Sequence, residues 1–321
     1  MLCPEAEIRW LSGCDEPSCR YALLVNVLGK SSKATEIVTL KHSIKTCART
    51  SRLLSLRDED GQIPLHPYSK WMGAHWVLVS LADLNYPIGD SSLLPLREQV
   101  LGWLLKRRPS IVHGRVRHCA SIEANALYSL TKLGLADERT EQIAHALCDW
   151  QWPDGGWNCD KSADARTSSF TESLIPMRAL SLHAKVTSCA RSLSAAFRAK
   201  EMFLRRRLYR RVTNGEVINE QFVRLHYPCY WHYDILFALK VMAEAGFIND
   251  PRCGEALELL VSKRLPEGGF PAESKYWHTT AKSRSGKESV DWGPVSRKKP
   301  NPFVSVDALY VLKSAGMLSH L

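Results

Sequence analysis

Tyr230-Trp231-His232-Tyr233-Asp234 brings an acid, an imidazole and three further aromatic rings into one short stretch. A carboxyl at a helix start beside a histidine is a candidate general acid, and aromatic faces stabilise a developing cation through their quadrupoles. In that reading Asp234 delivers the proton, His232 tunes it, and Tyr230 and Trp231 face the cation. The competing reading of Asp234 is a helix N-cap, the commonest task of an aspartate at such a position. The same stretch also reads His226-x2-Cys229-x2-His232-x-Asp234, donor types that suit Zn²⁺. Four donors on so short a run need a second ligand pair, because one helix cannot aim all of them inward. Cys229 as a small buried hydrophobe is the simpler reading, so the expectation is no metal and no cofactor. Cys159 with Asp160 is a smaller metal candidate.

The elements that must position these residues are announced by turns. Trp150-Gln-Trp-Pro-Asp-Gly-Gly-Trp157 has weaker echoes at 57–63, 213–217 and 265–270: in each, an acidic or amide residue is followed by Gly and then an apolar anchor. Gly supplies the left-handed backbone that ends a helix, and the next large residue folds back over the turn. Recurrence of such a turn is the signature of a repeat.

A second recurrence runs between the turns. Apolar helical runs centre on Ala22-Leu23, Val77-Leu78, Ala126-Leu127, Ser173-Leu174, Ala238-Leu239 and Ala308-Leu309, at intervals of 55, 49, 47, 65 and 70 residues. They are apolar around most of their circumference, as helices buried on all sides are. Amphipathic segments at 37–56, 95–105, 140–150, 192–209 and 252–265 alternate with them, and 5–11 is a sixth. Six inner and six outer helices predict one all-α domain over 1–321, an (α/α)6 toroid with a central cavity. The stretch 271–303, with Trp277, Trp292 and four prolines, reads as a long loop or lid.

If the inner helices start at the cavity mouth, the residues one turn before each step gather there. Those are Lys70 and His75; Arg117, Ser121 and Glu123; Ser168, Ser169 and Glu172; Tyr230, His232 and Asp234; and Ser305 and Asp307, with Trp76 and Trp231 as candidate pocket aromatics on the inner helices. Carboxylates on four elements, desolvated by apolar walls, raise one another's pKa, and that is how a general acid is made. Asp234, His232, Glu172 and Glu123 are thus the catalytic candidates; Trp76, His75, Arg117, Tyr230, Trp231 and Asp307 are the substrate-binding ones.

The 321 residues carry 45% hydrophobic and 24% charged side chains, enough for a sizeable core. The net charge of +10 concentrates in Arg205-Arg-Arg-Leu-Tyr-Arg-Arg211 at helical spacing, the pattern of a solvated outer face rather than a nucleic-acid site. Contact with an anionic membrane surface is the alternative. Ten cysteines without a Cys-x-x-Cys pair, and an N-terminus without a basic and apolar leader, predict a cytoplasmic protein with reduced thiols.

Gln151-x-x-Asp154-Gly155-Gly156-Trp157 resembles the QW motif of squalene and oxidosqualene cyclases, and Glu267-Gly268-Gly269-Phe270 resembles the Gly-Gly-Phe turns of protein prenyltransferase β subunits. The resemblance spans the repeat architecture over most of the chain. It implies an α/α toroid that handles isoprenoids in an apolar cavity, either by acid-initiated carbocation chemistry or by zinc-dependent prenyl transfer. The cyclases' Asp-x-Asp-Asp is absent and so is the prenyltransferases' Asp-x-Cys. Acid-initiated, terpene cyclase-like chemistry on a hydrophobic isoprenoid is the leading expectation; a zinc prenyltransferase-like enzyme and a non-catalytic toroid scaffold are the alternatives.

Overall fold

Apolar and amphipathic runs separate into two shells. The computed structural model describes residues 2–280 and 285–319. It runs α1 (Glu5–Ser12), α2 (Pro17–Ala22) continued by a π-helical turn (Leu23–Val27), α3 (Thr35–Thr46), α4 (Ala48–Leu54), α5 (Ala74–Asp83) and α6 (Leu94–Leu104). A short hairpin, β1 (Ser110–Val112) and β2 (Arg115–Arg117), precedes α7 (Ala120–Lys132), α8 (Glu138–Asp149), α9 (Phe170–Thr187) and α10 (Ala190–Leu204). The chain continues through α11 (Ile235–Glu244), α12 (Gly254–Ser262) and α13 (Pro302–Ser314).

The inner helices are α2, α5, α7, α9, α11 and α13. Residues Ala74 to Ala82 of α5 and Ala120 to Leu130 of α7 are buried without a break, because neighbours close on every face. Outer helices bury one stripe: in α8 it is Thr140, Ile143, Ala144, Leu147 and Cys148, the spacing of a single helical face. Each inner helix packs on an outer one, α2 on α3, α5 on α6, α7 on α8, α9 on α10 and α11 on α12, while α13 packs on α1. One cavity is lined by all six inner helices, so the hairpins form a closed ring. The two ends of the chain join it: Leu2 N–H donates to Met317 O at 2.9 Å, and Glu7 accepts Arg264 at 2.5 Å and the Gly269 N–H at 2.9 Å.

The turns behave as their sequences predict. Gly61, Gly155, Gly215 and Gly268 have φ of 76°, 100°, 74° and 95°. Gln151 bridges two layers, its Nε2 donating to Gly155 O at 2.6 Å and to Ala195 O of α10 at 2.8 Å. Trp157 is buried and its indole N–H donates to Leu147 O at 2.8 Å. A Cβ on Gly155 would meet the backbone oxygen of Arg198 at 2.4 Å, whereas one on Gly215 meets nothing within 4 Å. Gly215→Ala should therefore cost only the left-handed penalty, about 1–2 kcal/mol, and Gly155→Ala clearly more. Urea denaturation of both variants checks this; equal losses would show that the turn does not press on α10.

Three local expectations are corrected. The helix expected over 37–56 breaks at Cys47, whose extended ψ of 157° separates α3 from α4. The one expected over 192–209 stops at Leu204, and Arg207 and Leu208 both turn to positive φ. The β1–β2 hairpin, unforeseen because its strands are three residues long, closes through His113 and Gly114 at φ 48° and 70°, as a two-residue turn requires. Arg207 and Arg210 of the basic run pair with Glu255 on the outer layer. Among the described residues no helix is long and apolar enough to cross a membrane.

Candidate functional site

Charged residues in otherwise apolar inner helices mark the cavity, which measures about 330 Å³. Its walls come from the C-terminal ends of α5, α7 and α11, the second half of α9, the Ser18–Asn26 face of the first inner element and the Phe303–Tyr310 face of α13. Arg178 of α9 lies at its heart. Its guanidinium donates to Glu244 at 2.7 and 2.9 Å and to Asp83 at 3.1 Å, and it sits 3.8 Å above the ring of Tyr128. Burial pushes Glu244 upward, but the Arg178 charge and hydrogen bonds outweigh it and hold the carboxyl at about 2.

Beside this network Lys240 pairs with Asp307 at 2.7 Å. Burial raises the Asp307 carboxyl above the usual range; Lys240 pulls the other way, and Asp83 and Glu244 add to the rise. Burial lowers Lys240, but Asp307 more than compensates and the ammonium is held firmly protonated. Lys132 differs: burial, aided by Arg178 and Lys240, brings it down to about 8, and its ammonium donates to the Tyr128 hydroxyl at 3.2 Å. A chamber with such walls can take a small molecule that is part apolar and part anionic, and it holds a carboxyl that resists ionisation.

The expected mouth at the inner-helix N-termini is corrected, because those N-termini are filled; the cavity opens at the other end, where apolar and aromatic side chains share its walls with charged ones. Trp71 stacks on Tyr230 at 3.8 Å, and Trp76 meets both edge-on at 4.7 and 5.6 Å. The segment 271–303, of which 281–284 lie outside the described residues, packs onto them. Trp71 Nε1 donates to Tyr276 O at 2.8 Å, and Trp277 Nε1 donates to Tyr227 O at 3.1 Å. The Tyr230 hydroxyl donates to Glu288, which is buried and whose carboxyl burial raises above the usual range.

Of the candidates read from the sequence, Asp307 lines the cavity. Asp234 is the N-cap of α11: Oδ1 accepts the Phe237 N–H at 2.7 Å, Oδ2 accepts the His226 N–H at 2.8 Å, and His226 Nδ1 lies 2.6 Å away. Both of its oxygens are taken, which fits the capping role. His232 is sandwiched by Trp231 at 4.0 Å and Tyr276 at 3.7 Å, burial lowers it to about 3, and the imidazole beside Asp234 is that of His226 instead. Trp231 has Lys70 5.0 Å above its ring. His75 is buried and lowered to about 3 by burial, with neither ring nitrogen hydrogen-bonded among the described residues. Arg117 lies 4.3 Å over Trp152 and donates to Ala165 O at 3.1 Å. Glu123 is held by Arg107 at 2.8 Å and His118 at 2.7 Å. Glu172 accepts the Ser121 N–H at 3.0 Å, and burial raises its carboxyl. The set His226, Cys229, His232 and Asp234 does not converge as metal ligands; among the described residues the convergent set is Cys119, Cys159 and Glu172.

Asp234→Asn should fold with a loss of about 1–2 kcal/mol, since the amide keeps an acceptor for Phe237 but not one for His226 as well. Its turnover should match the parent protein. A folded Asp234→Asn protein without turnover would return the acid role to this residue.

Asp83, Lys132, Arg178, Lys240 and Glu244 were missed. A signal for them existed: Asp83, Lys132 and Glu244 each stand five positions beyond the leucine of an inner-helix step, at Leu78, Leu127 and Leu239.

No protein-family model and no curated protein matches the chain. Among solved structures it is similar to the type II terpene cyclase MstE from Scytonema in its apo form, at 15% identity and a TM-score of 0.29, over 86% of this chain and 98% of that one. It is also similar to a variant of that enzyme in complex with the product merosterolic acid A, at 13% identity and a TM-score of 0.30, over 95% and 100% of the two chains.

Proposed function

We infer that the chain is an isoprenoid-processing enzyme whose reaction chamber is the central cavity and whose acid is Asp307. The observation that carries this is the ionic state of the lining. Arg178 is shared between Asp83 and Glu244, while Asp307 is paired with the Lys240 ammonium alone. An anionic group on an incoming prenyl chain competes for that ammonium. Once Lys240 turns to the substrate, the desolvated Asp307 carboxylate takes up a proton from solvent and becomes the general acid for a nearby double bond. Tyr227, Phe303 and Tyr310 line the same cavity and supply aromatic faces for the resulting cation. Lys132 and Lys185, also in the lining, supply further charge for the anionic end. The volume sits at the low end of the ~300–1,000 Å³ of ligand pockets, which favours short prenyl chains.

The reading is tested by incubating the protein with linear prenyl diphosphates of increasing length and with squalene, and analysing products by mass spectrometry. Cyclised or rearranged product from a short prenyl diphosphate supports it. Binding without any product supports instead a non-catalytic ring that holds an anionic ligand, a reading favoured by the ion-paired state of all three lining carboxylates.

A further inference from the structure

Two thiols and a buried carboxylate meet outside the central cavity. Cys119 immediately precedes α7, Cys159 lies in the loop after Trp157, and Glu172 is in the first turn of α9. One Sγ from each cysteine and a carboxylate oxygen all lie within 4.8 Å of one another. We propose that Cys119, Cys159 and Glu172 are three ligands of a Zn²⁺ ion whose fourth position is open to a small molecule.

The distances carry the assignment. Cys159 Sγ is 3.7 Å from Glu172 Oε1. That is long for a hydrogen bond, but it is the edge of a tetrahedron around zinc, roughly 3.3–3.8 Å for metal–ligand bonds of ~2.0–2.3 Å. The donor set also selects the metal: two thiolates exclude Mg²⁺ and Ca²⁺ in favour of zinc. The carboxylate is already aimed, because its other oxygen accepts the Ser121 N–H at 3.0 Å. Such a partner behind a ligand fixes its orientation and raises metal affinity. The N-terminal ends of α7 and α9 both face the cluster and offset the charge of the thiolates. Both cysteines are only half buried, which leaves an ion a way in and leaves one coordination position unfilled by protein. Binding releases the two thiol protons to solvent and forms two Zn–S bonds and one Zn–O bond, with no change of oxidation state.

The test uses the full chain purified under reducing conditions without chelator. Elemental analysis should find about one zinc per chain. Protein stripped of metal and titrated with Co²⁺ should develop thiolate-to-cobalt charge-transfer absorption. Cys119→Ser, Cys159→Ser and Glu172→Gln should each weaken metal binding by at least ~10-fold, while Cys3→Ser, at an exposed cysteine outside the cluster, should not. Reduced, folded parent protein that takes up neither zinc nor cobalt overturns the proposal, and so does a Cys119–Cys159 disulfide in protein isolated without reductant. These readouts need no turnover. Metal uptake can therefore fail while the Asp307 reading stands, and an Asp307→Asn protein without activity should still bind its metal.

Discussion

Asp307→Asn gives a folded protein whose turnover of any accepted prenyl substrate falls by ~10²–10⁴, the usual worth of a positioned general acid. The amide keeps the shape of the side chain and an oxygen for Lys240, but it has no acidic proton. Because Lys240 loses its counter-charge, some stability goes too, and circular dichroism must show the variant folded before its rate is read. Lys240→Met on top of Asp307→Asn removes the stranded ammonium; it should restore stability without restoring turnover. Burial raises Asp307, and the protonated form is the active one. Parent turnover should accordingly be full on the acid side of that raised value and decline as pH rises through it. The residual rate of Asp307→Asn should lack this limb. An Asp307→Asn protein with parental turnover eliminates the assignment, and Glu288, a buried carboxyl raised by burial and bonded to Tyr230 and Trp292, becomes the next acid to neutralise.

The ring was legible because its causes are local. Inner helices such as α5 and α11 are apolar on every face, and outer ones such as α8 alternate at helical spacing; each can be read within a dozen residues. The Gly155 and Gly268 turns are equally local, since a left-handed backbone asks for glycine wherever it occurs. Which end of the ring carries the open cavity was not legible, because it depends on which mouth is filled. That is decided by the docking of Trp277 on Tyr227 and of Tyr276 on Trp71 and His232, contacts between residues about 45 to 205 positions apart that no periodicity announces. The same docking surrounds His232 and Tyr230, expected as a catalytic and a substrate-binding residue. Aromatic and acidic residues at a helix start serve a packed cap as well as a site, and residue type alone does not separate the two. Asp307 lay among the candidates as a substrate-binding residue, but its partner Lys240 is on the neighbouring inner helix, one interval of the repeat away.

Arg178→Ala should destabilise the ring by about 3–5 kcal/mol, the cost of removing one member of a buried ionic network. The side chain is 4% exposed and joins α9 to both α5 and α11, through Asp83 and Glu244. Truncation strands both carboxylates against the cavity wall and leaves the face of Tyr128 without its cation. The penalty should depend on pH, and its sign is fixed by Glu244. In the parent protein that carboxyl is held at about 2, below the ~4.3 of an unfolded chain. The pair's contribution is therefore present in full above the unfolded value and is lost as pH falls toward 2. In Arg178→Ala burial is opposed only by the weaker pull of Lys240 and Lys132, so Glu244 takes up its proton at higher pH and tolerates its surroundings once neutral. The difference in stability between parent and variant should thus be largest near neutrality and shrink in acid, as measured by urea denaturation at pH 7 and pH 4. Arg178→Met combined with Glu244→Leu should recover part of the loss, because it removes the principal charge pair together instead of stranding one partner. If Arg178→Ala costs less than 1 kcal/mol at pH 7, water must reach the carboxylates freely, and the desolvation invoked to raise Asp307 would be lost with it.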